Sequence, residues 1–344
     1  MRYYSLKITN SSGGPPSRNF PVVRGALVAG SNFTSWANGA NVRGALKVEL
    51  DISVYPYAVP RGGSRVQVWG VSLEQIGQAS DLNGKLIEVH GGLQSGLPLA
   101  SDSARSKQPG LLVKGSIFQA YGNWIDVEQT LDMIIYPFNS TEKLNLTHEM
   151  PAGTTLQSAI QRTLSVGLPG KTINFNISPN LILPRYDWHV CDNLVSYAKY
   201  IQALSQSINT SPSYPGVNIC PIKDTISVFD GATQTSEPKQ ILFQELIGQP
   251  TWLGPFKVSF KTPMRHDIDP TQYVVLPKTV FTTTQQSLSL LRTGVVFQGT
   301  FLVTSVRHVG DSTSSDAGAW VTVFEAVSVP EGTPVSSGAI TGIQ

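Results

Sequence analysis

Two short segments concentrate side chains that could do chemistry. Asp187-Trp188-His189-Val190-Cys191-Asp192 brings an imidazole, a thiol and two carboxylates together. On a strand His189 and Cys191 share one face, but a zinc site needs more than two ligands, and no other His or Cys stands at ligand spacing. The competing reading is a helix-entry segment with Asp192 as its cap. Arg265-His266-Asp267-Ile268-Asp269-Pro270 is the second concentration. Carboxylates there could serve glycoside hydrolysis, which needs two carboxyls about 5 to 9.5 Å apart across a sugar cleft. No partner acid occurs in a comparable setting, so an interface knot, or a turn opened by Asp269-Pro270, competes with that reading. The five histidines (His90, His148, His189, His266 and His308) are scattered, and no Gly-x-Ser-x-Gly elbow, P-loop or His-Glu-x-x-His helix occurs. No catalytic, cofactor or metal site is therefore expected. Exposed aromatics (Tyr3, Tyr4, Trp36, Tyr55, Tyr57 and Trp188) would suit a carbohydrate face or a subunit interface. Tyr55 and Tyr57 share a strand face with Glu49, Asp51 and Ser53, and with Arg265, His266 and Asp267 they are the candidate interface residues.

The elements that must position these groups are mostly strands. At 344 residues the chain has room for two or three domains. Only 14% of residues are charged and 40% are apolar, with a net charge of +2, which excludes disorder of the whole chain. Near-neutrality without a basic run argues against binding nucleic acid by phosphate neutralisation. No apolar run approaches the ~20 residues of a membrane helix, so no membrane insertion is expected. The start, Met1 to Lys7, lacks a signal-peptide core, which implies cytoplasmic synthesis and favours free thiols over a single disulfide at Cys191 and Cys220.

Period-2 alternation from Leu46 to Val54, with further β-rich runs at 64–71, 85–90 and 111–121 and strict alternation in Ile125-Asp126-Val127-Glu128, makes residues 1–138 one antiparallel β domain, a barrel or strongly curled sheet. Residues 139–235 change character. Leu156, Ile160 and Leu164 share a helical face behind a Thr154 or Thr155 cap, and a second helix spans Asp192 to Ile208, giving an α+β domain. Alternation returns at 236–330, with strands at 256–261, 273–276, 300–309 and 319–329 and a polar hairpin tip from Gly310 to Gly318. The tail, 331–344, has little to pack.

The outer domains echo each other. Leu73-Glu74-Gln75-Ile76-Gly77-Gln78 matches Gln244-Glu245-Leu246-Ile247-Gly248-Gln249. Gly115-Ser116-Ile117-Phe118 before Trp124 matches Gly299-Thr300-Phe301-Leu302 before Trp320. A duplicated unit would let three chains present six similar domains, fitting a sixfold ring on one side and a threefold object on the other.

The segment Glu245 to Trp252, Phe256 to Lys261 and Pro263 to Ile268, together with Gly299 to His308 and Trp320 to Ala326, resembles the C-terminal half of bacteriophage tail baseplate hub proteins. The helix after Gly153-Thr154-Thr155 is similar to the helix of that family's middle domain. The likeness is best over 239–327, fair over 150–230 and architectural over 1–138. It implies a mainly β chain with two tube-like antiparallel β-barrels around an inserted α+β domain. It also implies a homotrimeric, non-enzymatic virion protein of the tail baseplate, joining the sixfold tail tube protein to the threefold central spike protein. The tape-measure protein, and at ejection DNA without specific binding, would occupy its channel, and baseplate wedge proteins would surround it. No spike or lysozyme-like segment is present, so those functions would belong to separate proteins. The rival expectation is a polysaccharide-binding or polysaccharide-degrading tail protein.

Overall fold

The computed structural model describes residues 2–9, 33–56, 63–94, 109–137, 144–211, 214–231, 237–254, 256–277 and 299–329. Alternation dictates the first block. In β1 (Arg2–Thr9) Tyr4, Leu6 and Ile8 point inward while Tyr3, Lys7 and Thr9 stay half exposed. The two-residue strands β2 (Phe33–Thr34), β3 (Trp36–Ala37) and β4 (Ala40–Asn41) follow. β5 (Lys47–Val54) buries Val48, Leu50, Ile52 and Val54 on one face. β6 (Ser64–Trp69) leads into the short helix α1 (Leu73–Gly77), which Ser72 and Gln75 close with reciprocal hydrogen bonds. Then come β7 (Leu86–Leu93), β8 (Gly110–Ile125) and β9 (Glu128–Tyr136). Asp126-Val127, expected inside a strand, is instead the hairpin turn between β8 and β9. Asp126 takes a φ of 53°, the left-handed region that Asp tolerates, and Val127 is 91% exposed.

The middle block comprises β10 (Leu146–Met150), α2 (Leu156–Gly167), β11 (Thr172–Asn176), β12 (Asp187–Cys191), α3 (Leu194–Ile208), β13 (Asn218–Ile222) and β14 (Thr225–Phe229). β10 pairs antiparallel with β12, while β14 runs parallel to β11 and antiparallel to β13. Thr155 Oγ1 accepts the Ser158 N–H at 3.3 Å and starts α2, whose Leu156, Ile160 and Leu164 are fully buried. α3 starts behind Asn193, not Asp192. The Asn193 Oδ1 accepts the Ser196 N–H at 2.9 Å, and the Ser196 side chain closes the reciprocal bond. Both helices pack their stripes onto one core with Ile219, Ile226 and Val228.

The last block holds β15 (Lys239–Gln240), β16 (Thr251–Gly254), β17 (Lys257–Pro263), β18 (Tyr273–Val275), β19 (Thr300–Asp311) and β20 (Trp320–Ser328). In space the first block orders its strands β1-β7-β8-β9-β6-β5, and the last block orders its own β15-β18-β19-β20-β17-β16. Counted by chain position within each block, leaving aside the two-residue strands β2, β3 and β4, the two orders are identical. They even share an irregularity, since the β8–β9 register shifts between Ile117 and Gln119 and the β19–β20 register shifts between Val303 and Ser305. One join differs: β1 meets β7 antiparallel, whereas β15 meets β18 parallel.

Among the described residues the two blocks do not close into two separate barrels. The free flank of β5 pairs antiparallel with Val306–Asp311 of β19, so 13 strands form one sheet that runs open from β16 to β2. The short echoes mark the repeat only in part: Ser116–Phe118 and Thr300–Leu302 lie on the corresponding strands β8 and β19, but out of step with the shared irregularity. Leu73 to Gln78 lies between the third and fourth strands of its block, whereas Gln244 to Gln249 lies between the first and second. Trp124 shares β8 with Gly115, while Trp320 stands on β20, a strand after Thr300.

Besides the second core, that of the middle block, two cores lie beneath this sheet, and each takes residues from more than one block. The first, around Leu6, Val48, Ile52, Ile87 and Met133, also takes Met264 and Trp320 from the last block, and the Trp320 Nε1–H donates to the Gly92 carbonyl at 2.8 Å. The third, around Phe260, Phe301 and Phe324, takes in Val54 from the first block and Cys220, Ile222 and Phe229 from the middle one.

Candidate functional site

Strand alternation sends one face of β17, β20, β19, β5, β6, β9 and β8 into the cores and leaves a mixed face on the other side, where charged residues stand beside Val309, Val321, Val323 and Ile134. Asp51 stands opposite Arg65 on one neighbour and Val309 on the other, and Glu49 stands opposite Gln67 and Asp311. The charges on this face pair among themselves. Arg307 grips Asp51 with two bonds, Nε to Oδ1 at 2.7 Å and Nη2 to Oδ2 at 2.5 Å, across the join between the blocks. Arg65 Nε meets Asp132 Oδ1 at 2.9 Å, Lys47 meets Glu49 at 2.7 Å and Asp311 at 3.3 Å, and Lys257 meets Glu325 at 2.8 Å. The exposed pair of Arg307 and Asp51 holds little stability, whereas Asp132 is buried and is also held by Gln67. The effect of these pairs is a face on which Arg307, Arg65, Lys47 and Lys257 are each answered by a carboxylate.

The Arg265 segment links β17 to β18 and lies between the first and third cores, with Met264 in one and Ile268 in the other. The Arg265 guanidinium is buried, with Nε 2.6 Å and Nη2 2.8 Å from the Asp267 carboxylate and Nη1 3.4 Å from Glu245. Burial alone raises the Asp267 carboxyl, yet Arg265 and Lys239 hold it below the usual carboxylate range. Lys239 also donates to the Asp267 carbonyl. Lys223, in the turn between β13 and β14, donates to the His266 carbonyl at 2.9 Å and to Asp269 at 2.7 Å. The His266 ring packs on Gly110, where a Cβ would stand 2.4 Å away, so this approach needs glycine. Behind the segment, Thr322 Oγ1 accepts the Arg265 N–H at 3.1 Å and lies 2.9 Å from Nδ1 of His308. Burial pushes His308 down to about 3. These bonds tie all three blocks of the chain together. A glycosidase general acid needs a raised pKa, and Asp267 is held the other way while Asp269 serves Lys223.

The 187–192 cluster is equally absorbed. Asp187 accepts from the Tyr200 hydroxyl and stands 3.3 Å from His148, His189 stacks on the Tyr200 ring at 4.1 Å, and Cys191 enters the middle core. Among the described residues no group of three or more His, Cys, Asp or Glu side chains is arranged to hold a metal ion. Cys191 and Cys220 are buried and unbonded.

Of the aromatic candidates, Tyr4 is buried with its hydroxyl on the Leu46 carbonyl, Tyr3, Trp36 and Tyr55 are half-buried, and Tyr57 lies outside the described residues. Trp188 is exposed on β12, near an open groove of about 460 Å³ lined by Glu149, Arg162 and Tyr186. Sequence reasoning missed a set of exposed rings at two sheet edges: Phe118 and Trp124 on β8, and Phe243 and Phe256 flanking β16. Their neighbours carry few charges, which is the signal that was there to read.

No protein-family model and no curated protein matches the sequence. The structure is similar to the 43 kDa tail protein of prophage MuSo2 from Shewanella oneidensis, with a TM-score of 0.48 and 7% identity over 95% of this chain and 98% of that one. It is similar to a tail protein from Neisseria meningitidis, with a TM-score of 0.47 and 10% identity over 96% and 97% of the two chains. An Escherichia coli component of the type VI secretion system aligns with a TM-score of 0.46 and 8% identity over 83% and 74%. These three are a prophage tail protein, a tail protein and a secretion-system component described as structurally similar to T4 bacteriophage tail proteins.

Proposed function

We propose that the chain is a structural hub of a phage tail baseplate, a homotrimer whose six similar β blocks meet the sixfold tail tube on one side and a threefold central spike on the other. The observation that carries this reading is the recurrence of one six-strand order, with its bulge, in two blocks of a single sheet. A chain with two like blocks satisfies two symmetries at once, because three copies count as three or as six. The blocks correspond to domains 1–138 and 236–330, with 139–235 inserted between them and 331–344 as a tail.

This mixed face of the shared sheet lines the channel. Its cations are answered by Asp51, Asp132, Glu49, Asp311 and Glu325, so passing DNA finds few unpaired cations and slides without capture. The tape-measure protein occupies the same passage before ejection, and wedge proteins surround the hub in the virion. The role is non-enzymatic: Asp267 and Asp269 are committed to Arg265 and Lys223, which disfavours the polysaccharide-degrading alternative.

Light scattering on the full chain tests the reading. A species of three times the 37.1 kDa chain mass is expected. A monomer at concentrations of tens of micromolar, or a dimer, overturns it.

A further inference from the structure

We infer that neighbouring copies join by strand addition, the outer edge of β16 in one copy pairing with the open flank of β8 in the next. This rests on the trimeric reading above and names the contact that closes the ring.

The chain contains the template for this contact. In the last block the fifth strand, β19, uses one flank twice: Thr300–Leu302 pairs with β18, and Val306–Asp311 pairs with β5, the second strand of the first block. The first block has the same geometry with the second half vacant. Its fifth strand, β8, pairs Gly110–Ser116 with β7. Further along that flank, the Ala120 N–H donates to the Asn83 side chain at 2.7 Å. From Tyr121 to Ile125, no strand among the described residues pairs with it. The matching tongue has no strand on its outer flank among the described residues. β16, the second strand of the last block, pairs with β17 on one side and ends the sheet on the other. One second-strand-to-fifth-strand join is therefore made inside each chain, and one half of a second join is left at each end.

Both vacant edges are built to be covered. Natural edge strands carry charges that discourage pairing. Neither Gln119–Ile125 nor Thr251–Gly254 contains a charged residue. Instead Phe118 is 56% exposed and Trp124 63%, while Leu253 is 52% and Phe256 69%. Helix α1 covers only a face of β8, through Ile76 against Gly122, and Trp124 beyond it stays open. A tongue and a socket on different surfaces make a head-to-tail contact. Repeating the step already taken within the chain turns each block by the same angle, which is how such contacts close into rings.

Two single variants and their mixture test this. Leu253→Lys charges the tongue and Trp124→Lys charges the socket, each at an exposed position, so circular dichroism and thermal melting should match the wild type. Each variant alone should fall from trimer to monomer by light scattering. Mixed one to one, they should form a heterodimer and nothing larger, because only one intact tongue and one intact socket remain. Both variants staying trimeric overturns the inferred contact and leaves the trimeric reading standing, whereas a monomeric wild type removes that reading itself. Should either variant misfold, cysteines at Asn123 and Thr251 in one chain should give oxidised ladders ending at three chains; oxidised chains that stay single overturn the contact.

Discussion

Acid should loosen the join between the blocks through His308. The ring is buried between β5 and β20, 2.9 Å from Thr322, and its pKa is pushed down to about 3 by burial, with Lys223 and His266 adding to the effect. In the unfolded chain the same group titrates near ~6.5. Between those values the unfolded state binds the extra proton, so the stability that neutral His308 provides is complete above ~6.5 and is lost as pH falls toward ~3. At about pH 5 the loss is about 1.5 pH units at 1.36 kcal/mol each, or about 2 kcal/mol, a figure that depends only on the folded pKa lying below 5. Burial also lowers His90 and His148, so the wild-type loss will exceed this amount. The specific share is isolated by His308→Gln, which cannot be protonated and keeps a polar group near Thr322. Urea midpoints measured at about pH 7 and pH 5, at fixed protein concentration, should show the variant losing about 2 kcal/mol less than the wild type. An identical acid loss in the two proteins would refute the reasoning.

Arg265→Met leaves Asp267 and Glu245 without their buried cation and should cost about 3 to 5 kcal/mol in urea unfolding; a cost below about 1 kcal/mol would mean water reaches the pair. Gly110→Ala drives a methyl into the His266 ring and should cost about 1 to 3 kcal/mol, most of it recovered in the double variant with His266→Ala. Strict additivity in that cycle would place the ring elsewhere.

Much of this fold could be read from residue order, and the failures have physical causes. The inward Val48, Leu50, Ile52 and Val54 and the Leu156, Ile160, Leu164 stripe are signals of period, and burial follows them. Asp126-Val127 continues the alternation of β8 and yet turns the chain, because a two-residue hairpin needs only one residue willing to take positive φ. Tyr4 counted as an exposed ring until Leu6 and Ile8 are seen to share its side of β1. The repeat exists as strand order, which pairing across long separations decides, so short matching words placed it in the wrong register. The Arg265–Asp267 pair is local and was visible as a polar knot. Its partners Lys239 and Glu245, and Lys223 on the neighbouring Asp269, come from elsewhere in the chain and carried no sequence mark.

Electron micrographs of the purified full-length chain, averaged along the short axis of the particle, bear most directly on the symmetry match. A ring of six lobes, alternating around a threefold axis and enclosing a central opening, is the predicted result. Isolated single chains, a twofold particle or a solid body without an opening would contradict it.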